Sequence, residues 1–205
     1  MDTLEKIFGS SSKVKMMRLF LFNPQSAFDT ASVSRRTKTQ PIKTRSEIMN
    51  LEKIGLIKRK YFTKELSKKG GRDLKRKRVE GWTLNEKFPF LEPLQNFLIH
   101  IPPAQQQEIL EKIKKAGVIK LVIFAGVFIQ DWDSRLDILV VGDKLKKGII
   151  QSVMSDIESV VGKELKYSFF ETQEFVYRLG VCDKLVRDVL DYPHKKIINK
   201  LEMEI

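Results

Sequence analysis

The sequence predicts an α+β chain of two domains with a helical segment between them, over residues 1–87, 88–116 and 117–205. Three observations predict it. Helix-start and helix-stop residues recur up to Gly55, and two alternating runs about a Gly70-Gly71 turn follow them. Beyond residue 117, apolar strand-like runs alternate with amphipathic helical runs, as in an α/β layer. Charge divides near the same boundary: residues 1–90 hold 22 Lys and Arg against 9 Asp and Glu, whereas residues 91–205 hold 16 against 17.

The elements follow in order. Residues 4–22 form a helix or a broken pair of turns, with Ser10, Ser11 and Ser12 available as caps and Val14, Met17 and Leu21 on one side. Asn23-Pro24 ends it. Asp29 and Thr30 cap a short helix to about Thr37 that buries Val33, and Lys38-Thr39-Gln40 is a polar turn. Pro41 suits the first turn of the next helix, because it lacks the N–H that would be unsatisfied there. That helix runs to Ile54, and Gly55 supplies the left-handed stop. Its inner face is Thr44, Ile48 and Leu51, which leaves Lys43, Arg45, Ser46 and Met49 outside; a register that buries Ile42 is the alternative. Residues 56–62 and 75–84 make a β-hairpin with a long basic tip, whose Tyr61, Phe62 and Trp82 pack against the helices, with base-stacking platforms as the alternative. Two helices span 88–116, separated by Pro102-Pro103. The Leu91, Leu94 and Leu98 stripe of the first packs within the chain or forms a dimer seam. Strands are expected at Val118–Val127, Leu136–Gly142 and Glu164–Phe170, and an amphipathic helix at Lys144–Gly162. Thr172 caps further helices that continue to about Lys200 with a break near Pro193.

Composition narrows the chemistry. No apolar run approaches the ~20 residues that cross a bilayer, and the N-terminus lacks the charged-then-apolar pattern of a signal peptide, so a cytoplasmic location without a membrane partner is expected. Cys182 is the only cysteine, and His100 and His194 are the only histidines. No His/Cys metal spacing and no histidine base beside a nucleophile exist, so neither a metal nor another cofactor is expected. The basic half points instead to a polyanion. Residues 57–79 alone carry 11 cationic side chains, among them Lys58, Arg59, Lys60, Lys68, Lys69, Arg72, Lys75, Arg76, Lys77 and Arg78. A solvated charge run without a partner is the plainer alternative.

Short helices followed by a basic hairpin, with Asn50-Leu51-Glu52-Lys53-Ile54-Gly55-Leu56-Ile57-Lys58 leading from one into the other, resemble the winged helix-turn-helix family over residues 4–86. Thr39 and Thr44 stand where that family commonly has aliphatic residues. The resemblance implies that helix 41–54 enters the major groove of double-stranded DNA with Gln40, Lys43, Arg45 and Ser46 at base edges, while the hairpin cations hold phosphates.

Residues 115–200 resemble the minimal nucleotidyltransferase domain. That family places Gly-Ser after a first strand and Asp-x-Asp before a second, and its carboxylates hold two metal ions. Here Gly126 keeps the glycine, Val127 replaces the serine, Arg135 replaces the first metal-binding Asp, and Asp137 alone remains of the pair. Glu164 is the available third carboxylate, and Asp131, Asp133 and Asp143 leave a rearranged site open. The resemblance implies the fold without the transferase chemistry. Asp137 pairing with Arg135 across the turn is the structural reading, and Arg135 attracting an anionic effector such as a nucleotide is the functional one. The expectation is a DNA-binding transcription regulator, not an enzyme, whose second domain serves dimerisation, sensing or a protein contact. A homodimer is compatible with it. A nucleotidyltransferase acting on a small molecule or protein, and an RNA-binding factor, are the alternatives.

Overall fold

A computed structural model describes residues 3–67, 74–99 and 103–201. The chain divides into two compact units, Met1–Ile99 with Glu158–Lys163, and His100–Ile157 with Glu164–Ile205. Both mix helix and strand.

The first unit opens with α1 (Thr3–Phe8) and α2 (Ser11–Phe22), broken at Gly9, whose φ is +70°. Ser10 caps α2 by accepting from the Lys13 amide. Helix α3 (Thr30–Thr37) starts at Asp29, whose carboxylate accepts from the Ser32 amide at 2.9 Å. Helix α4 (Pro41–Lys53) begins at the proline and ends before Gly55, φ +80°, where the Gly55 and Leu56 amides donate to the Glu52 and Leu51 carbonyls. Strands β1 (Ile57–Ser67) and β2 (Leu74–Leu84) pair antiparallel without a bulge, from Ile57 opposite Leu84 to Ser67 opposite Leu74. Phe28 adds an isolated bridge to Trp82 through mutual 2.9 Å amide–carbonyl bonds. A Cβ on Gly81 would lie 2.6 Å from both the Phe28 carbonyl oxygen and the Phe62 ring, so only glycine lets this crossing close.

The core of this unit collects Val14, Met17, Phe20 and Leu21 of α2, Val33 of α3, Ile48 and Leu51 of α4, and Leu56, Ile57 and Leu84. Helix α5 (Leu91–Ile99) joins it: Leu98 is fully buried and Leu91 and Leu94 pack against the same cluster, so the leucine stripe is spent inside the chain. Arg18, one of the cations of the basic half, is also buried, and its Nε donates to the Leu98 carbonyl at 2.8 Å. Tyr61 corrects the expected aromatic packing, since its ring is exposed under the Arg78 guanidinium, 5.2 Å from the ring centroid.

The second unit holds α6 (Pro103–Ile113), β3 (Val118–Phe124), β4 (Ile138–Asp143), most of α7 (Lys147–Val161), β5 (Tyr167–Glu171), α8 (Thr172–Gly180), α9 (Lys184–Asp191) and β6 (Lys195–Asn199). The sheet order is β5-β4-β3-β6, with β4 parallel to β5 and β3 antiparallel to both β4 and β6. Leu121, Ile123, Leu139 and Val141 meet Phe175, Val186 and Val189 of α8 and α9 in one core. Three expectations are corrected here. Strand β3 stops at Phe124, because Gly126 (φ +50°) turns the chain into a short 3-10 segment, Gly126–Phe128. Glu171, not Thr172, is the cap residue of α8. Residues 195–199 are a strand rather than helix: past Pro193 the segment takes the free edge of β3, with Ile198 opposite Val122 and a register shift at Ile197, and that tertiary pairing decides the conformation.

Candidate functional site

Four hydroxyls build the turn between α3 and α4. Lys38 takes the left-handed conformation, φ 51°. Ser34 Oγ donates to the Thr39 carbonyl at 2.6 Å, and Thr37 Oγ1 to the Val33 carbonyl at 2.8 Å. Thr44 Oγ1 donates to the Gln40 carbonyl at 3.0 Å and lies 3.3 Å from that of Thr39, whose own hydroxyl approaches the Thr37 carbonyl at 3.4 Å. Buried polar groups are tolerated when they are hydrogen-bonded, so threonine fills the slots at 39 and 44 by bonding to the backbone beside it. Thr44, Glu47, Ile48 and Leu51 face inward, and Ile42 is exposed, which excludes the alternative register. Glu47 was not legible as a core residue; its Oε1 accepts from Ser10 Oγ at 2.7 Å and ties α4 to the cap of α2.

The outward residues of α4 are brought together as expected. Gln40, Lys43, Arg45 and Ser46 are all exposed at its first two turns. Lys43 and Arg45 form no ion pair among the described residues.

The hairpin sorts its cations by register. Side chains alternate between the two faces of a strand, and the β1–β2 register puts Arg59, Arg76 and Arg78 on one face, with Trp82, Glu80 and Glu65. Lys58, Lys60, Lys64 and Lys77 take the other. The arginine face is largely neutralised from within. Arg59 Nε lies 2.7 Å from Glu52 Oε1 and its Nη1 3.0 Å from Glu80 Oε1, while Arg76 pairs with Glu65 at 3.2 Å. Trp82 Nε1–H also donates to Glu52 Oε2, at 3.1 Å. The Arg59 bond holds the Glu52 carboxyl below its ordinary value against the opposing effect of burial, and Glu52 raises Arg59 in turn. A cleft of 280 Å³ opens here, lined by Thr30, Arg45, Ile48, Met49, Glu52, Arg59, Glu80 and Trp82.

On the lysine face, Lys64 Nζ reaches Asp29 Oδ2 at 2.7 Å and Ser32 Oγ at 3.1 Å. Burial pushes the Asp29 carboxyl up, but the bonds from Lys64 and Ser32 outweigh it and leave the group below its ordinary value. Lys58, Lys60 and Lys77 are exposed and carry no ion pair among the described residues. Arg59 and Arg76, both expected to hold phosphates, are ion-paired with acidic neighbours within the fold. Lys68, Lys69 and Arg72 lie outside the described residues, as does the side chain of Lys75.

In the second unit, Gly126, Val127 and Asp137 converge and Arg135 does not join them. Asp137 is buried, and both of its carboxylate oxygens accept main-chain amides: Oδ1 from Val127 and Oδ2 from Lys166, each at 2.8 Å. Its own amide donates to the Lys166 carbonyl at 2.6 Å, and its carbonyl accepts from Ala125 at 2.9 Å. A Cβ on Gly126 would run into Asp137 Oδ1. The expected Asp137–Arg135 pair is replaced: Arg135 Nε lies 2.8 Å from Asp188 Oδ2 on α9. These two line a 440 Å³ cleft with Asp131, Asp133, Ser134, Tyr192 and Pro193, which gives it three carboxylates against one guanidinium. Glu164 and Asp143 are not part of that lining. Asp188 was not legible as Arg135's partner; no local spacing links the two. Among the described residues no group of three or more His, Cys, Asp or Glu is placed to hold a metal ion, and no helix is long and apolar enough to cross a membrane.

No protein-family model, curated protein or solved structure matches the chain.

Proposed function

We propose that the chain is a DNA-binding transcription regulator, with the first unit a winged helix-turn-helix module. The observation that carries this reading is the exposed first two turns of α4, where Gln40, Lys43, Arg45 and Ser46 stand together behind a hydroxyl-bonded turn and beside a basic hairpin. A helix so presented fits the major groove, where Arg or Lys can donate to guanine O6 and N7 and Gln can pair with adenine. Lys58, Lys60 and Lys77, exposed and without an ion pair among the described residues, supply charge for phosphates, which fix position without reading sequence. The second unit is read as a nucleotidyltransferase-like fold without transferase activity. Two backbone amides already occupy the Asp137 carboxylate, and Arg135, which by the resemblance replaces a metal-binding Asp, is paired with Asp188. The acid-rich cleft around Arg135 favours dimerisation or a protein contact over capture of an anionic effector.

The test is selection of bound fragments from a random synthetic duplex library with the full chain. Enrichment of a defined sequence, bound more weakly as salt rises, is expected. An unenriched pool, or equal capture of single-stranded RNA, would retract the reading.

A further inference from the structure

Helix α4 inverts the usual inside–outside rule. Thr44 is fully buried, whereas Ile42 is 84% exposed and Met49 67% exposed. Ile42 is the second residue of the helix, and Met49 follows seven residues later, on the same side two turns on. Neither helix propensity nor core packing explains an isoleucine there. A β-branched residue is a poorer helix former than alanine, and the interior slot that could have taken an aliphatic chain holds Thr44. Departures of this kind from local consistency concentrate at functional positions.

The neighbours of Ile42 limit what can cover it. Lys43 and Arg45 flank it, exposed and without an ion pair among the described residues, and Gln40 and Ser46 add polar groups on either side. The covering surface must therefore be anionic and must offer a small apolar group among polar ones. The base edges of duplex DNA offer one such group in the major groove, the C5 methyl of thymine. An anionic membrane would also meet cations, but Ile42 and Met49, two turns apart with Lys43, Arg45 and Ser46 between them, give it little continuous apolar surface to bury.

We propose that Ile42 is a specificity residue that packs on a thymine C5 methyl where the first turn of α4 meets the groove. The inference rests on the DNA-binding reading above. It predicts thymine in the preferred site beside the base read by Arg45 or Lys43.

The experiment uses the full chain and the duplex selected from the synthetic library. Such a library contains no methylated cytosine, so a methyl read in it is thymine's. Each thymine is replaced in turn by uracil, which removes only the methyl group, and both duplexes are titrated with the parent and with Ile42→Ala. At one position uracil should weaken the parent about fourfold, the effect of one buried methyl. Ile42→Ala should bind the thymine duplex as the parent binds the uracil duplex, should show no further uracil effect, and should melt at the parent's temperature. Equal binding of thymine and uracil duplexes by the parent, or a full uracil effect that persists in Ile42→Ala, overturns the inference and leaves the DNA-binding reading standing. Failure to select any duplex removes both, whereas binding to phosphatidylserine vesicles that Ile42→Ala abolishes while duplex binding is unchanged overturns the inference alone.

Discussion

Replacing Lys58, Lys60 and Lys77 together by glutamine should change how DNA affinity depends on salt far more than replacing Arg59. Six exposed cations on the first two turns of α4 and on the hairpin have no ion pair among the described residues: Lys43, Arg45, Lys58, Lys60, Lys77 and Arg78. Each phosphate neutralised releases about 0.9 counterion, so the parent's plot of log K against log salt should fall with a slope of about −5. Removing the three lysines should bring it to about −3. Arg59 is held by Glu52 and Glu80, and its charge is balanced before DNA arrives. Arg59→Gln should therefore leave the slope at the parent's value, whereas loss of one unpaired lysine would make it shallower by about 0.9. Fluorescence anisotropy of a labelled duplex, titrated at several salt concentrations, measures all three slopes. A parent slope near zero would refute the electrostatic reasoning. An Arg59→Gln slope shallower than the parent's by about 0.9, one third of the triple variant's change, would refute the distinction between paired and unpaired cations.

Arg45→Ala should cost roughly 1–3 kcal/mol on the preferred site and less on random duplexes; equal losses in competition binding would make Arg45 a phosphate contact only. Asp137→Asn should destabilise the second unit by about 1–3 kcal/mol without any nucleotide present, because the new amide group sets a donor against the Val127 or Lys166 N–H, and unchanged urea unfolding would contradict that bracing role. The full chain should give no Mg²⁺-dependent labelling of itself or of lysate proteins from radiolabelled nucleoside triphosphates, and robust labelling would restore the enzyme alternative. Asp29 and Glu52 both titrate below their ordinary values of 3.8 and 4.5 in the folded chain. Their contribution to stability is thus complete above the unfolded-chain values and is lost as pH falls through the lowered folded ones. Asp29→Asn with Glu52→Gln should flatten the acid limb of unfolding followed at Trp82 in a Trp132→Phe background, and an unaltered limb would show that these two pairs add nothing.

The first unit was the more legible in sequence because its boundaries are made by local chemistry. The Asp29 cap, the proline at the start of α4 and the glycine after it each act within a few residues. The alternation through β1 and β2 likewise needs only neighbours along the strand. What escaped the sequence is non-local. The strand nature of 195–199 comes from the edge of β3, more than 70 residues upstream in sequence. Counting charges cannot reveal that Arg59 and Arg76 are occupied, or that Arg18 is buried in the core. At the candidate sites, Glu47 and Asp188 went unnoticed because a carboxylate's partner depends on which elements the fold brings beside it. Thr39 and Thr44 looked out of place only while their hydroxyls had no visible acceptors.

The uninterrupted pairing of β1 with β2 restricts where this chain can lengthen. An extra residue inserted between Lys58 and Arg59 would shift every later β1 side chain to the opposite face, exchanging ammonium for guanidinium and freeing the acids that now quench Arg59. Residues inserted between Ser67 and Leu74 would leave both strands in step. Length variation among descendants of this chain should accordingly gather at the far end of the hairpin, while its two ladders keep their spacing residue for residue.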